Sequence, residues 1–246
     1  MSSSSRSWFP DLSERASCSE LMDDPLGDTA LLYRTLDQFE SINALLSGFK
    51  SIARRYIIDD MRARGKQDYR VADLGCGGGD FSRWFTDECR SRGIRVTMTC
   101  IDSDKRVVDY ARKKCGPYPA IRIVHANACD PEIWKTPHDY AYGNHFLHHF
   151  PGREIARVIG LVDEHTRYGF LFNDIMRSTV ALAGYTLLAA LFFRKSFAFY
   201  DGRLSIMKGF RLEELREAAE AAGASHSIKV SSRWPFRCIV YRLGGC

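Results

Sequence analysis

Several common features are missing from this sequence, and each absence narrows what the chain can be. It has 8 cysteines in 246 residues but no paired metal-binding spacing. Cys18, Cys76, Cys89, Cys100, Cys115, Cys129, Cys238 and Cys246 stand singly, and several fall inside predicted strands or helices, where a thiol packs as a small apolar group. The opening MSSSSRSWFPDLSER has no apolar core segment of the kind a secretory leader needs. Together these point to a reducing, cytoplasmic setting. No block of like charge is present either: the net charge of +5 is scattered, so a nucleic-acid partner is not demanded. The densest basic patch, Arg54-Arg55 with Arg62 to Lys66, is interrupted by Asp59 and Asp60 and reads as a solvated helix face. The longest apolar run, Val180 to Phe193, is fourteen residues. As a helix it covers about 21 Å against the roughly 30 Å of a bilayer core, so it does not span a membrane.

What the sequence does have is a glycine bend. Tyr69 to Leu74 reads as a short buried strand, stopped abruptly by Gly75, Gly77 and Gly79, and Phe81 to Cys89 as the helix that leaves the bend. Glycines at alternate positions keep Cβ atoms off the inside of the turn, so a ligand can lie against backbone N–H groups. Strand, bend and helix make half of a nucleotide-binding βαβ unit. The dinucleotide fingerprint needs a further glycine where Asp80 stands, which counts against a nicotinamide cofactor. The second strand, Val96 to Ile101, closes on Asp102, whose carboxylate can accept two hydrogen bonds from a ribose diol.

VADLGCGGGDF followed by TCIDSDKRVVDYAR resembles the first two motifs of the class I S-adenosylmethionine-dependent methyltransferases. The resemblance implies an α/β fold: a Rossmann-like, doubly wound, mostly parallel seven-stranded sheet with a C-terminal antiparallel hairpin. It implies S-adenosylmethionine as cofactor, held by Asp73, Gly75, Cys76, Gly77, Gly79, Phe81, Asp102, Ser103, Asn127, Ala128 and Asn144. Asn127 stands where the family usually carries Asp, and its amide oxygen can still accept from an adenine amino group.

Residues 1–66 read as a mobile Ser-rich segment and a helical cap, with apolar residues at helical spacing between Thr29 and about Arg64. Residues 67–246 read as the Rossmann-like domain, interrupted at about 178–205 by a helical insertion. Within it, the run 180–193 is apolar all round and needs a cover. A lid over an apolar substrate, a homodimer interface and a weak membrane contact are the alternatives. Tyr200 to Arg203 reads as a turn leading out of the insertion. The last two strands, His226 to Ser231 and Phe236 to Tyr241, are joined only by Ser232 to Pro235; a parallel crossover needs about a dozen residues, so this pair must be antiparallel.

Carboxyl ends of parallel strands line the ligand crevice of such folds. That rule puts Asn144 and His145 after the fourth strand near a reactive methyl, and Asn173, Asp174 and Arg177 after the fifth strand at the same crevice. Imidazole is the natural proton acceptor at neutral pH, so His145 and His149 are the candidate catalytic histidines, with Asp174 and Arg177 to orient the base or hold a substrate oxygen. His148 and His149 also have a packing role open to them. The four-residue spacing of His145 and His149 would suit a metal, but no third ligand is evident and no metal is expected. Base methylation of nucleic acid is disfavoured because His145-Phe146 follows Asn144 in place of two prolines and an aromatic.

A narrower resemblance, to bacterial small-molecule methyltransferases of polyketide-type, phenol-forming pathways, rests on four segments: Asn173 to Ser178, Asp201 to Ser205, Arg211 to Leu215 and Trp234 to Arg237. The expected function is therefore methyl transfer to an apolar, hydroxylated aromatic small molecule, most naturally at oxygen. A methyl acceptor at nitrogen or carbon, and a catalytically silent member of the fold, are the alternatives.

Overall fold

The computed structural model of the chain describes residues 10–193, 195–223 and 227–244. Of the sequence expectations, those for the Ser-rich residues 1–9, Arg194, His226 and Cys246 lie outside the described residues.

Two helical stretches precede the sheet. The first is α1 (Thr29–Leu46), capped by the Asp28 carboxylate. The second runs from α2 (Phe49–Ala53) through a π-helical turn (Arg54–Ile58) into α3 (Asp59–Arg64). Strands and helices then alternate: β1 (Asp68–Leu74), α4 (Asp80–Ser91), β2 (Arg95–Asp102), α5 (Lys105–Cys115), β3 (Ile121–His125), the short α6 (Pro131–Trp134), β4 (His138–Asn144), α7 (Gly152–His165) and β5 (Thr166–Ile175). The insertion forms α8 (Thr179–Phe192) and α9 (Ala198–Lys208), followed by α10 (Leu212–Ala221), β6 (Lys229–Arg233) and β7 (Arg237–Leu243).

The seven strands lie in the order β3-β2-β1-β4-β5-β7-β6. β1 to β5 are parallel, whereas β7 runs antiparallel to β5 and to β6. This is the fold expected from the sequence, hairpin included. Strand order reverses direction between β1 and β4, which opens a crevice at their carboxyl ends.

Consecutive residues of a strand point to opposite faces, so a sheet covered on both sides has continuous apolar strands. Val71, Met98, Tyr140, Tyr142 and Leu171 pack on one face against α2 to α4. Ala72, Leu74, Ile101, Ala141 and Phe170 pack on the other against α7 and α10.

Two local expectations are corrected. Tyr200 to Arg203 is not a turn but the first part of α9. Gly202 is there for close approach: a Cβ on it would lie 2.1 Å from the Tyr185 hydroxyl, so the glycine lets α8 seat against α9. The second concerns the residues before the short helical turn Leu21–Asp23, expected to be mobile or wrapped loosely over the domain. From residue 10 to about 18 the chain is tied down, with Arg15 donating to the carbonyls of Lys208, His148 and Phe150, and the Ala16 N–H to Met207. Buried Asp201 accepts from the Leu21 and Met22 N–H groups and so holds the turn to α9.

Candidate active site

A cavity of about 1090 Å³ opens at the carboxyl ends of the strands. The glycine bend forms part of its wall. Gly75 and Gly77 have φ of +67° and +52°, the left-handed region that glycine tolerates best. The N–H groups of Gly75 and Cys76 donate to the Ile101 carbonyl, which ties the bend to β2. A Cβ on Gly77 would meet nothing within 4 Å, so the backbone there is bare toward the cavity. Gly79, expected beside the ligand, is a correction. It is the N-cap of α4 rather than part of the cavity wall, and a Cβ there would lie 2.6 Å from Cys115 Sγ.

Asp102 also lines the cavity. Its carboxylate accepts from the N–H groups of Gly77 and Asp104, both at 3.1 Å, leaving lone pairs on both oxygens. Burial pushes its pKa up to about 6. Asp73 touches the cavity from below the bend, but its carboxyl group is held in the core by the hydroxyls of Ser82 and Tyr142, and burial pushes it up to about 7. Cys76, Phe81, Ser103, Asn127, Ala128 and Asn144 complete this part of the wall. The Asn127 amide oxygen already accepts from the Cys129 N–H at 2.8 Å, and that of Asn144 from Asn173 Nδ2 at 2.8 Å.

The histidines sort differently from the sequence expectation. His148, on the short turn Leu147–His149, is 2 % exposed and lines the cavity. Its Nδ1 lies 2.7 Å from Asp174 Oδ1, its own N–H donates to Asp174 Oδ2, and its Nε2 has no hydrogen-bond partner among the described residues. Burial alone would lower this imidazole's pKa, but the Asp174 charge and hydrogen bond outweigh it and hold it above the ordinary value. Burial would likewise raise Asp174, yet His148 pulls it well below the usual carboxylate range. Asp174 therefore stands behind His148, where it fixes the tautomer, and is not itself on the cavity wall.

His145 has a left-handed backbone, φ +57°, and its Nε2 lies 2.8 Å from Arg237 Nη1. Burial and the adjacent guanidinium hold its pKa well below the ordinary value. A ring nitrogen that already accepts from an arginine is a poor base, which counts against the expectation that His145 takes a proton, although His145 lines the cavity. His149 lines the cavity with its side chain partly exposed; burial, then the neighbouring His148, lowers it.

Arg177 is the other correction. It is 7 % exposed and off the cavity wall. Its guanidinium pairs with Glu214 at 2.7 Å and donates to the carbonyls of Leu12, Ser13 and Gly209, so it fastens α10 and the leading segment to the domain.

Sequence reasoning missed Glu20 and Arg237. Glu20 lines the cavity with Oε1 3.7 Å from His148 Nε2. No local pattern marks it, because only the tertiary fold brings residue 20 beside residue 148. Arg237 was visible within the Trp234-Pro235-Phe236-Arg237 segment but carried no assigned role. Glu20, His148 and His149 bring ligand atoms within 4.8 Å of one another. The same Glu20 oxygen, however, accepts from Ser205 Oγ at 3.0 Å and faces the Lys208 ammonium at 3.4 Å. That carboxylate is thus already engaged by a cation and a hydroxyl.

Residues 71–169 match the family profile described as a methyltransferase domain. Comparison with curated protein sequences gives no match. An O-methyltransferase family protein from Burkholderia thailandensis superposes with a TM-score of 0.59 at 19% identity, covering 88% of this chain and 62% of that one. Human N-acetylserotonin methyltransferase, solved with S-adenosylmethionine, gives 0.61 at 13% identity, covering 94% and 61%. The plantazolicin methyltransferase BpumL gives 0.65 at 9% identity, covering 87% and 91%. At these identities the structures speak to fold alone, and the chain spans less than two thirds of the length of the first two. Profile and fold agree with the resemblance drawn from the glycine bend and Asp102: residues 71–169 are similar to a methyltransferase domain, and the fold is shared with solved methyltransferases.

Proposed function

Proceeding from the methyltransferase domain of residues 71–169, we propose that this protein methylates a hydroxyl oxygen of an apolar, phenolic small molecule. One observation carries the reading. A single cavity combines a bare backbone cradle beside Asp102 with an imidazole nitrogen, His148 Nε2, that is buried, unpartnered and backed by a carboxylate.

The residues present fit the cofactor. Gly77 leaves room for a ligand against its backbone, and the Asp102 carboxylate has lone pairs left for the ribose hydroxyls. Asn127, Ala128 and Ser103 take the adenine side, and Asn144, Cys76 and Phe81 the methionine side. When bound, S-adenosylmethionine supplies an electrophilic methyl group on a sulfonium. The chain's own contribution is alignment, water exclusion and proton removal. His148 Nε2 takes the proton of the acceptor hydroxyl. Asp174 keeps the Nδ1 proton in place and stabilises the imidazolium that results.

The acceptor end carries an apolar wall section, Val180, Ala181, Leu188, Ile206 and Phe236, beside its polar groups. This supports the lid role for α8. Its outward face, where Leu187 is 66% and Phe192 67% exposed, leaves a homodimer or a weak membrane contact to cover it. Among the described residues no helix is long and apolar enough to cross a membrane. The seven described cysteines are all free thiols, consistent with the cytoplasm.

The test uses S-adenosylmethionine labelled in its methyl group with a panel of alkylphenols. Label in the organic extract, with the methyl ether identified by mass spectrometry, is the expected result. Cofactor binding without transfer to any acceptor would leave a catalytically silent member of the fold, and label on nitrogen or carbon would redirect the acceptor class.

A further inference from the structure

We propose that Arg237 is the anion-recognising residue of the acceptor pocket, so that the methyl acceptor carries a carboxylate on its apolar frame. This rests on the methyltransferase reading above and narrows its substrate class.

Three buried arginines in the β5–β7 region make the case by contrast. Arg177 is 7 % exposed and paired with Glu214; Arg242 is 9 % exposed and paired with Asp163. Arg237 is 6 % exposed, yet no carboxylate lies within ion-pair distance of it among the described residues. Its one hydrogen bond goes to the neutral Nε2 of His145. Asp174, whose charge acts on Arg237 without an ion-pair contact, has its oxygens committed to the His148 ring, the His148 N–H and the Ile175 N–H. A guanidinium out of water and without a carboxylate in ion-pair contact is costly, and this residue lines an open cavity. A carboxylate in that cavity supplies the missing partner, and the planar fork matches its two oxygens.

Position separates this anion from the cofactor. Arg237 is paired with Ile175 at the carboxyl end of β5. Three strand positions at about 4.8 Å each, roughly 14 Å, lie between β7 and the strand that carries the glycine bend. The residue is therefore at the acceptor end, in a cavity that His148 also lines. His145, held in its left-handed conformation with its N–H donating to the Asn173 carbonyl, fixes the guanidinium from behind.

The experiment compares two probes with the same alkyl chain, 5-octyl-2-hydroxybenzoate and 4-octylphenol, titrated by calorimetry into the protein saturated with S-adenosylhomocysteine. The wild type is expected to prefer the benzoate by about ten- to a hundredfold, the range of a buried charge-assisted pair. Arg237→Met should abolish that preference and Arg237→Lys should keep part of it. S-Adenosylhomocysteine affinity should stay unchanged in both variants. Equal affinity of the wild type for the two probes, or none for either, overturns the proposal. So does a preference that survives Arg237→Met, or a matching loss of S-adenosylhomocysteine affinity, which would assign the guanidinium to the cofactor. Should the Met variant not fold, the Lys variant decides by the same criteria. Failure of the wild type to bind S-adenosylhomocysteine at all is a separate result that removes the methyltransferase reading and this inference with it.

Discussion

The two ends of the cavity are built on opposite plans. At the β1–β2 end the wall is drawn largely from stretches that directly follow strands, residues 73–81, 102–107 and 126–128, with the bare backbone of the glycine bend beside the Asp102 carboxylate. At the β4–β5–β7 end the wall is side chains from segments far apart in sequence: Glu20, His145 to Phe150, α8, α9 and the residues leading into β7. A shape made by main chain suits a ligand that never changes. One made by side chains on helices, a turn and a hairpin can be re-lined without disturbing the fold.

The strongest way to break this contrast is to remove the proposed base. His148→Gln should lower turnover by about 10²- to 10⁴-fold with S-adenosylhomocysteine affinity unchanged, since general-base catalysis is of that size. His145→Gln should cost turnover far less, because its ring nitrogen is already engaged by Arg237. Steady-state rates of the two variants decide between them, and reversal of their order would return the base to His145.

Next in size is Asp102→Ala, which should weaken cofactor affinity by about 1.5 to 3 kcal/mol, ten- to a hundredfold, through loss of two ribose hydrogen bonds. Calorimetry reading the same affinity as the wild type would mean that the ribose lies elsewhere.

Two glycine substitutions sharpen the comparison within the cofactor end. Gly77→Ala and Gly79→Ala both place a Cβ on a left-handed backbone, at about 1 to 2 kcal/mol each. Only Gly79→Ala also strikes Cys115, so its melting temperature should fall further. Only Gly77→Ala should lose cofactor affinity beyond its loss of stability, because its Cβ enters the space left for the ligand.

Effects of pH are the smallest and the most graded. Asp102 must be ionised to accept from the ribose on all its free lone pairs, so cofactor affinity should decline as pH falls through about 6. The His148–Asp174 pair acts on stability from both sides. Asp174, depressed in the fold, contributes stability that is present above the ordinary carboxylate pKa of about 3.9 and is lost as pH falls through its lower native value. His148, raised in the fold, contributes stability that is full below about 6.5 and is lost as pH rises through its native value. Turnover should rise over that same upper limb, as the imidazole becomes able to accept a proton. Urea midpoints and kcat against pH check the two signs, and His148→Gln should remove the upper limb from both.

The cofactor end was legible because its determinants are local. Alternating glycines after an apolar strand set a backbone shape within five residues, and the acid closing the next strand follows from strand length. Tyr200 to Arg203 was misread for a related reason: Gly202 carries the same letter as a turn glycine, but its purpose is contact with Tyr185. Arg177 looked like a crevice residue by its distance from the strand end. Past Ile175, however, the chain leaves the sheet, and the guanidinium finds Glu214 instead of the cavity.

From residue order alone came the α/β class, the antiparallel hairpin forced by a short connection, and the glycine bend with its partner acid, since each depends on contacts or limits within a few residues. Tertiary structure alone decided which histidine has a free nitrogen, which buried arginine has no carboxylate in ion-pair contact and that residue 20 reaches the cavity. Hydrogen-bond partners and burial are properties of side chains brought together across tens of positions, and for Glu20 and His148 more than a hundred, and no spacing along the chain encodes them.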